Sequence, residues 1–432
     1  MNKIKNKNIL IMLVTLVVVS ACGGGGGGSP TPTPTPTPAP VPPAAPIPTV
    51  ASIVVSNCSS VAGDSTPDLT GIDTTPVFDR SHKQGAPIYH VVTTRQLGNS
   101  NPVTLDYMVH EPTGTPKGVM VLIAGGGLNS RIEGTEGLQP DKSSGNFVVR
   151  SAHRYQDAGY RVITIDRPSD FASFGPFNVD FDMYRNSMQH AVDLAVILKA
   201  ENSEGYNVFI SGTSRGSISA AAMNTLATGI AMSSPLVGGT SGQPVGSTQL
   251  PLSRIQRPTH VMLHTNDTCA VTLPADARTL FDNLNAAGAN VSGNEVDGGF
   301  QHTTPINVCG AFDFHGFTGI ETCAVEKETT WANGVLTNLG ANNAPVATSV
   351  AVNEGDSISL TATDADTADT LSFAIPFATT SLGGTVATNA AGAVTYTRPT
   401  AAITAGAVDT FAFTVSDGNG GVSTAVVSIT LP

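Results

Sequence analysis

The sequence predicts a mixed α/β fold, built on a doubly wound and mostly parallel sheet, followed by a separate C-terminal β-sandwich. Three observations carry this reading. Between about Val50 and Gly340, short β-branched runs alternate with helix-length segments, as in strands joined by crossover helices. At Asn342-Asn343-Ala344-Pro345 the composition shifts to Thr, Val, Ser and Asp, with many turns and almost no helix signal. The length of 432 residues suits two or three units rather than one.

Residues 1–22 read as an export signal. Lys3, Lys5 and Lys7 form a positive start, and Ile9 to Val19 form an apolar stretch too short for a comfortable mature span. The ending Val19-Ser20-Ala21-Cys22 resembles a bacterial lipoprotein signal with its lipobox, which implies cleavage before Cys22 and a lipid on that residue. Residues 23–49 are a glycine run and then a Pro/Thr/Ala spacer, flexible at first and semi-rigid after, with nothing to form a core. This organisation predicts a membrane-anchored protein at the outer membrane or cell surface.

Residues 50–340 form the α/β unit. Strands are expected at Ile88–Gln96, Val103–His110, Gly118–Ala124, Arg161–Asp166, Tyr206–Ser211, Thr259–Thr265 and Asn290–Val296. Helices are expected at Val148–Ala158, Asp182–Ala200, Ser217–Leu226, Ala275–Ala287 and Lys327–Leu339. Residues 341–432 offer strands at Ser357–Ala362, Leu371–Ile375, Ala393–Tyr396, Thr410–Ser416 and Thr424–Leu431, a spacing that fits a small immunoglobulin-like sandwich. The net charge of −12 argues against a nucleic-acid partner, which calls for basic clusters.

The chemistry centres on Gly212-Thr213-Ser214-Arg215-Gly216. A lone G-x-S-x-G says little in a chain with 45 glycines, so its setting matters. A strand precedes it and a small-residue helix follows, the setting in which a sharp turn presents a nucleophilic serine at the carboxyl end of a sheet. Gly212 and Gly216 remove side chains that would clash across that turn. A serine needs a base, and His302 and His315 are the histidines late enough to follow the last strand. Asp267, just past the Thr259–Thr265 strand, is the preferred acid over Asp276, Asp297 and Asp313. The oxyanion calls for two N–H donors: that of Arg215, and one from Gly125-Gly126-Gly127-Leu128, with Gly127 and Leu128 the alternatives.

Together, Gly212–Gly216, Thr265-Asn266-Asp267-Thr268-Cys269, Cys309 and His315-Gly316-Phe317-Thr318-Gly319-Ile320-Glu321 resemble a group of bacterial α/β-hydrolase, esterase-like proteins. The resemblance spans roughly Gly118 to Leu339 and implies that His315 is the catalytic histidine, with His302 lining the site. Export leaves Cys58, Cys269, Cys309 and Cys323 as an even set with three possible pairings. A Cys269–Cys309 bridge would tie the acid loop to the histidine loop and leave Cys58 with Cys323.

Other polar residues have structural readings. His190 and Asp193 are helix neighbours near Arg185, for which a structural or solvated role is expected. His260 and His264 share a strand face, where packing is expected rather than metal ligation. In the C-terminal unit, Glu354-Gly355-Asp356, Asp364-Ala365-Asp366 and Asp417-Gly418-Asn419-Gly420-Gly421 resemble cadherin-like or related bacterial immunoglobulin-like modules. That resemblance implies a spacer or adhesion role. Glu354, Asp364, Asp366 and Asp417 would suit Ca²⁺, with turn chemistry the alternative.

The sequence therefore predicts a serine hydrolase of carboxylic esters, small or polymeric, that needs no cofactor. A serine amidase or peptidase is one alternative, and a non-catalytic surface adhesin on the same scaffold is another.

Overall fold

The computed structural model describes residues 51–66, 88–97, 101–128, 130, 145–171, 179–236, 254–301 and 308–432. The signal with Cys22, the linker 23–49 and His302 lie outside the described residues.

Among the described residues, nine strands form one sheet: β1 (Ile53–Asn57), β2 (Ile88–Leu97), β3 (Asn101–His110), β4 (Val119–Ile123), β5 (Arg161–Ile165), β6 (Val208–Thr213), β7 (Gly229–Ser233), β8 (Thr259–His264) and β9 (Val291–Asp297). Their order across the sheet is β2-β3-β5-β4-β6-β7-β8-β9-β1. The β2–β3 and β3–β5 pairs are antiparallel, and every other neighbouring pair is parallel. An antiparallel strand next to the first edge, a swapped pair and then a parallel run give the α/β-hydrolase order, with β1 added at the far edge. β4, β6, β7 and β8 are buried along their whole lengths. They are accordingly near-continuous apolar runs, as strands covered on both faces must be.

Among the described residues, seven α-helices accompany the sheet: α1 (Phe147–Arg150), α2 (Ala152–Asp157), α3 (Val179–Arg185), α4 (Met188–Glu201), α5 (Gly216–Ala222), α6 (Pro274–Ala286) and α7 (Glu321–Leu339). Two expected helices are each divided. The Val148–Ala158 segment breaks at Ser151. The Asp182–Ala200 segment breaks at Asn186-Ser187, where Ser187 Oγ accepts the His190 N–H at 3.4 Å and caps α4.

The C-terminal unit contains β10 (Val346–Thr348), β11 (Val350–Asn353), β12 (Thr361–Thr363), β13 (Ser372–Ala374), β14 (Thr385–Thr388), β15 (Val394–Thr397), β16 (Val408–Ser416) and β17 (Val422–Thr430). The described strands form a four-stranded sheet, β11-β17-β16-β13, and the two-stranded β10–β12 and β14–β15 pairs, with Phe411, Phe413 and Ile429 buried. The unit packs directly against the α/β part. β16 and β17 pack on α4. Around that contact, Lys199 Nζ donates to the Ala347 carbonyl (2.7 Å) and the Val408 N–H donates to Gln96 Oε1 (3.0 Å).

Candidate active site

Ser214 directly follows β6, and α5 begins two residues later. Its φ is +54°, in the left-handed region that a residue with a Cβ rarely occupies. Neighbouring bonds hold that conformation. The Ser214 N–H donates to the Ser233 carbonyl (2.9 Å), and the Ser214 carbonyl accepts from the Ser217 N–H (3.0 Å) and hydroxyl (2.6 Å). The two flanking glycines are sterically required. A Cβ on Gly212 would stand 2.2 Å from the Gly216 carbonyl oxygen, and one on Gly216 would stand 2.2 Å from that of Ile123. Ser214 is half-buried while Thr213 and Arg215 are buried, so the turn lifts this one side chain toward solvent.

Asp267 and His315 meet at the same carboxyl edge of the sheet. With its proton on Nδ1, His315 donates to Asp267 Oδ2 (3.0 Å) and to Thr272 Oγ1 (3.0 Å). The Thr272 hydroxyl donates to Asp267 Oδ2 (3.0 Å), and Asp267 Oδ1 accepts the Cys269 N–H (2.9 Å). Both members of the pair are buried. Cysteines 269 and 309 are bonded, as are 58 and 323. One donor atom from each of Asp267, Cys269 and His315 lies within 4.8 Å of the others, so the disulfide sits against the acid–histidine pair.

The histidine turn is anchored from below by Arg150, which donates to the carbonyls of Gly145, Ala311 (2.9 Å) and Gly316. Its Nε donates to Glu321 Oε1 (3.0 Å), and Glu321 also accepts the Gly319 and Ser65 N–H groups (3.1 and 3.0 Å). Gly316 must be glycine, because a Cβ there would stand 1.9 Å from the Ala311 carbonyl oxygen. His264 joins the two loops. Its Nδ1 accepts the Asn266 N–H (3.1 Å), its Nε2 donates to the Gly298 carbonyl (3.0 Å), and its ring stacks on Phe314 at 4.8 Å. Burial lowers the His264 pKa, which keeps the ring neutral and able to accept at Nδ1.

The glycine loop lies against the serine. A Cβ on Gly125 would stand 3.0 Å from Ser214 Cβ, 2.8 Å from the Thr213 carbonyl oxygen and 3.2 Å from Asn146 Nδ2. Gly126 and Leu128 have positive φ, and the Leu128 N–H donates to the Gly125 carbonyl at 3.1 Å. The Leu128 amide closes the turn, so of the two alternatives Gly127 is the one without such an engagement. Arg215 is the N-cap of α5, and its Nη2 lies 3.3 Å from Asp182 Oδ2.

Arg185, His190 and Asp193 are fully or almost fully buried, which settles the structural-or-solvated alternative in favour of structure. Asp193 pairs with Arg95 (2.6 Å) and accepts the Tyr184 hydroxyl (2.8 Å). Thr272, Arg150, Arg185 and His264 are the contributors that sequence reasoning missed or under-read. For His264, the signal was its position three residues before Asp267.

In the C-terminal unit two of the four acidic residues expected together, Asp364 and Asp417, come together, while the other two make other bonds. Glu354 pairs with Arg398 (3.2 Å), and Asp366 accepts the Asn343 N–H (2.7 Å). Asp364, Asp369 and Asp417 come within 4.8 Å of one another. Asp417 Oδ1 accepts the Asn419 and Gly421 N–H groups (2.7 and 3.0 Å), and Oδ2 accepts from Asn342 Nδ2 (2.8 Å). These bonds hold the turn and tie down the segment leaving α7.

The bacterial Ig domain family matches residues 342–430. No curated protein matches the chain. Among solved structures, the chain is similar to an α/β serine hydrolase without a lid from Xanthomonas campestris, at 16% identity over 59% of this chain and 96% of the other (TM-score 0.37). It is similar to a thermostable carboxyl esterase from Bacillus coagulans at 11% identity, over 58% of this chain and 100% of the other (TM-score 0.38). A third similarity is to brefeldin A esterase, a bacterial homologue of human hormone-sensitive lipase, at 13% identity over 65% of this chain and 90% of the other (TM-score 0.38). At these values the fold rests on the strand order itself.

Proposed function

We propose that this protein is an exported serine hydrolase that cleaves carboxylic esters through an acyl-enzyme. The observation that carries the proposal is Ser214 in left-handed backbone at the β6–α5 turn, on the edge where His315 is bonded to Asp267. Asp267 and Thr272 both engage Nδ1, which makes Nε2 the nitrogen that takes the Ser214 proton. Ser214 Oγ then attacks the ester carbon. Asp267 stabilises the imidazolium, and the Arg215 N–H with the glycine loop stabilises the oxyanion. The alcohol leaves with the proton from His315. Water, activated by the same nitrogen, then releases the acid and restores Ser214. Two disulfides and a bacterial Ig domain support a site of action outside the cytoplasm. Among the described residues, no helix is long and apolar enough to cross a membrane. External esters, including polyesters, are the substrates this location would present.

A fluorophosphonate probe tests the proposal directly. It is expected to label wild type and not Ser214→Ala, and p-nitrophenyl esters are expected to turn over faster than the matching anilides. Equal labelling of both proteins, or none of wild type, would remove the catalytic reading. Faster turnover of anilides would turn it toward amide substrates.

A further inference from the structure

Arg185 touches none of the reacting atoms in this scheme, yet its fully buried guanidinium reaches both segments that frame Ser214. Its Nη1 donates to Ser219 Oγ on α5 (2.9 Å). Its Nη2 donates to the Ala124 and Gly126 carbonyls, 2.9 Å each, in the loop that lies against Ser214. The C=O and N–H of a trans peptide point in opposite directions. Holding the Gly126 carbonyl toward Arg185 therefore turns the Gly127 N–H away from it, and holding the Ala124 carbonyl does the same for Gly125. Leu128 spends its own N–H inside the turn on the Gly125 carbonyl. We propose that Arg185 is a positioning residue that fixes the glycine loop as half of the oxyanion hole, with the Gly127 N–H as its donor. This rests on the esterase reading above.

Charge favours the same role. Burial brings the Arg185 pKa down to about 10, which still leaves the group protonated at neutral pH. Asp182, one turn earlier on α3, supplies counter-charge to Arg185 and to Arg215 beside the nucleophile. A cation at the carbonyl end of a peptide polarises it, so the N–H at the other end becomes a stronger donor to developing negative charge. The geometry thus joins a mechanical and an electrostatic contribution in one side chain.

The test compares the full-length wild type with Arg185→Met, Arg185→Lys and Ser219→Ala on a p-nitrophenyl ester. Affinity for a trifluoromethyl ketone, which forms a tetrahedral adduct with an active serine, is read alongside. Removing an oxyanion donor outright costs about 10²–10³ in kcat, so Arg185→Met is expected to lose roughly 10- to 100-fold with KM within about 3-fold. Ketone affinity should fall by a similar factor. Arg185→Lys should recover part of both losses, and Ser219→Ala should show a smaller loss of the same kind. A folded Arg185→Met with wild-type kcat and ketone affinity would overturn the inference. So would losses that merely follow the unfolded fraction measured by circular dichroism. If Arg185→Met does not fold, the same comparison in the Lys and Ser219 variants decides: unchanged kcat and ketone affinity in both overturns the inference. A wild type that neither turns over esters nor labels at Ser214 removes the underlying reading. An active wild type indifferent to Arg185 removes this inference alone.

Discussion

His260 is sealed between the Trp331 ring, 5.5 Å away by centroids, and the Ser292 hydroxyl, 3.0 Å from its Nδ1. Burial pushes its pKa from 6.5 down to about 3, because desolvation disfavours the imidazolium. The unfolded chain takes up a proton at this residue below pH 6.5 while the folded one resists, so the stability held above 6.5 is lost as pH falls toward 3. The buried His264 acts in the same direction. In His260→Gln, stability measured by urea unfolding should fall less steeply than wild type between these limits, and identical slopes would refute the assignment. Residues of this kind mark the boundary of what the sequence shows. Ser214 and Asp267 could be read because each follows a strand in the order such a site needs, whereas that order left His302 and His315 both open and only the family resemblance singled out His315. Thr272, Arg185 and Arg150 could not, since their partners lie up to 43, 61 and 171 residues away. An isolated arginine on a helix reads as a solvated charge until the fold brings carbonyls to it.

Among elements, the loops after β8 and β9 carry the acid and the histidine, and neither has a strand to hold it. Three devices take that place: the Cys269–Cys309 bond, the Arg150–Glu321 pair under the histidine turn, and His264 between them. The disulfide closes a 40-residue separation, which stabilises by about 4 kcal/mol in the chain-entropy view. Since it sits against the Asp267–His315 pair, its loss should show in rate before it shows in folding. Cys269→Ala/Cys309→Ala is expected to lose at least about 10-fold in kcat at temperatures where circular dichroism is unchanged. Cys58→Ala/Cys323→Ala, which spans 265 residues between β1 and α7, should lower the melting temperature and spare kcat below it. Equal effects of the two pairs on kcat would refute this division. The strands that sequence reasoning passed over are also instructive. β1 is an edge strand with Val54 and Val55 largely exposed, so it lacks the alternation that marks a half-buried strand. β7 is five residues long, and its leading glycine reads as a breaker. A Cβ on Gly229 would stand 3.0 Å from Trp331, so close packing explains the glycine.

At the scale of the whole molecule, the C-terminal sandwich is part of the packing of the α/β unit. α4 buries Met188, Ala191, Val192, Leu194, Ala195, Ile197 and Leu198, residues spread around its circumference. A helix apolar on all sides must be covered on all sides. The sheet covers one side, and β16 and β17 cover another, with Met188 Sδ 3.1 Å from the Ala412 amide nitrogen. A chain ending at Gly340 would return part of this surface to water. Each fully buried large apolar side chain is worth about 1.5–3 kcal/mol, so exposing two of them would remove roughly 3–6 kcal/mol. That is a large share of the 5–15 kcal/mol typical of a folded domain. The shortened protein should therefore unfold at markedly lower urea than the full chain and bind a hydrophobic dye while still native. The effect should extend to catalysis, because α4 begins three residues after Arg185, whose bonds hold the glycine loop. Loosening α4 should lower kcat more than it raises KM, the same signature expected of Arg185 variants. A shortened chain with unchanged unfolding midpoint and kcat would show instead that the sandwich rests on the hydrolase part without supporting it.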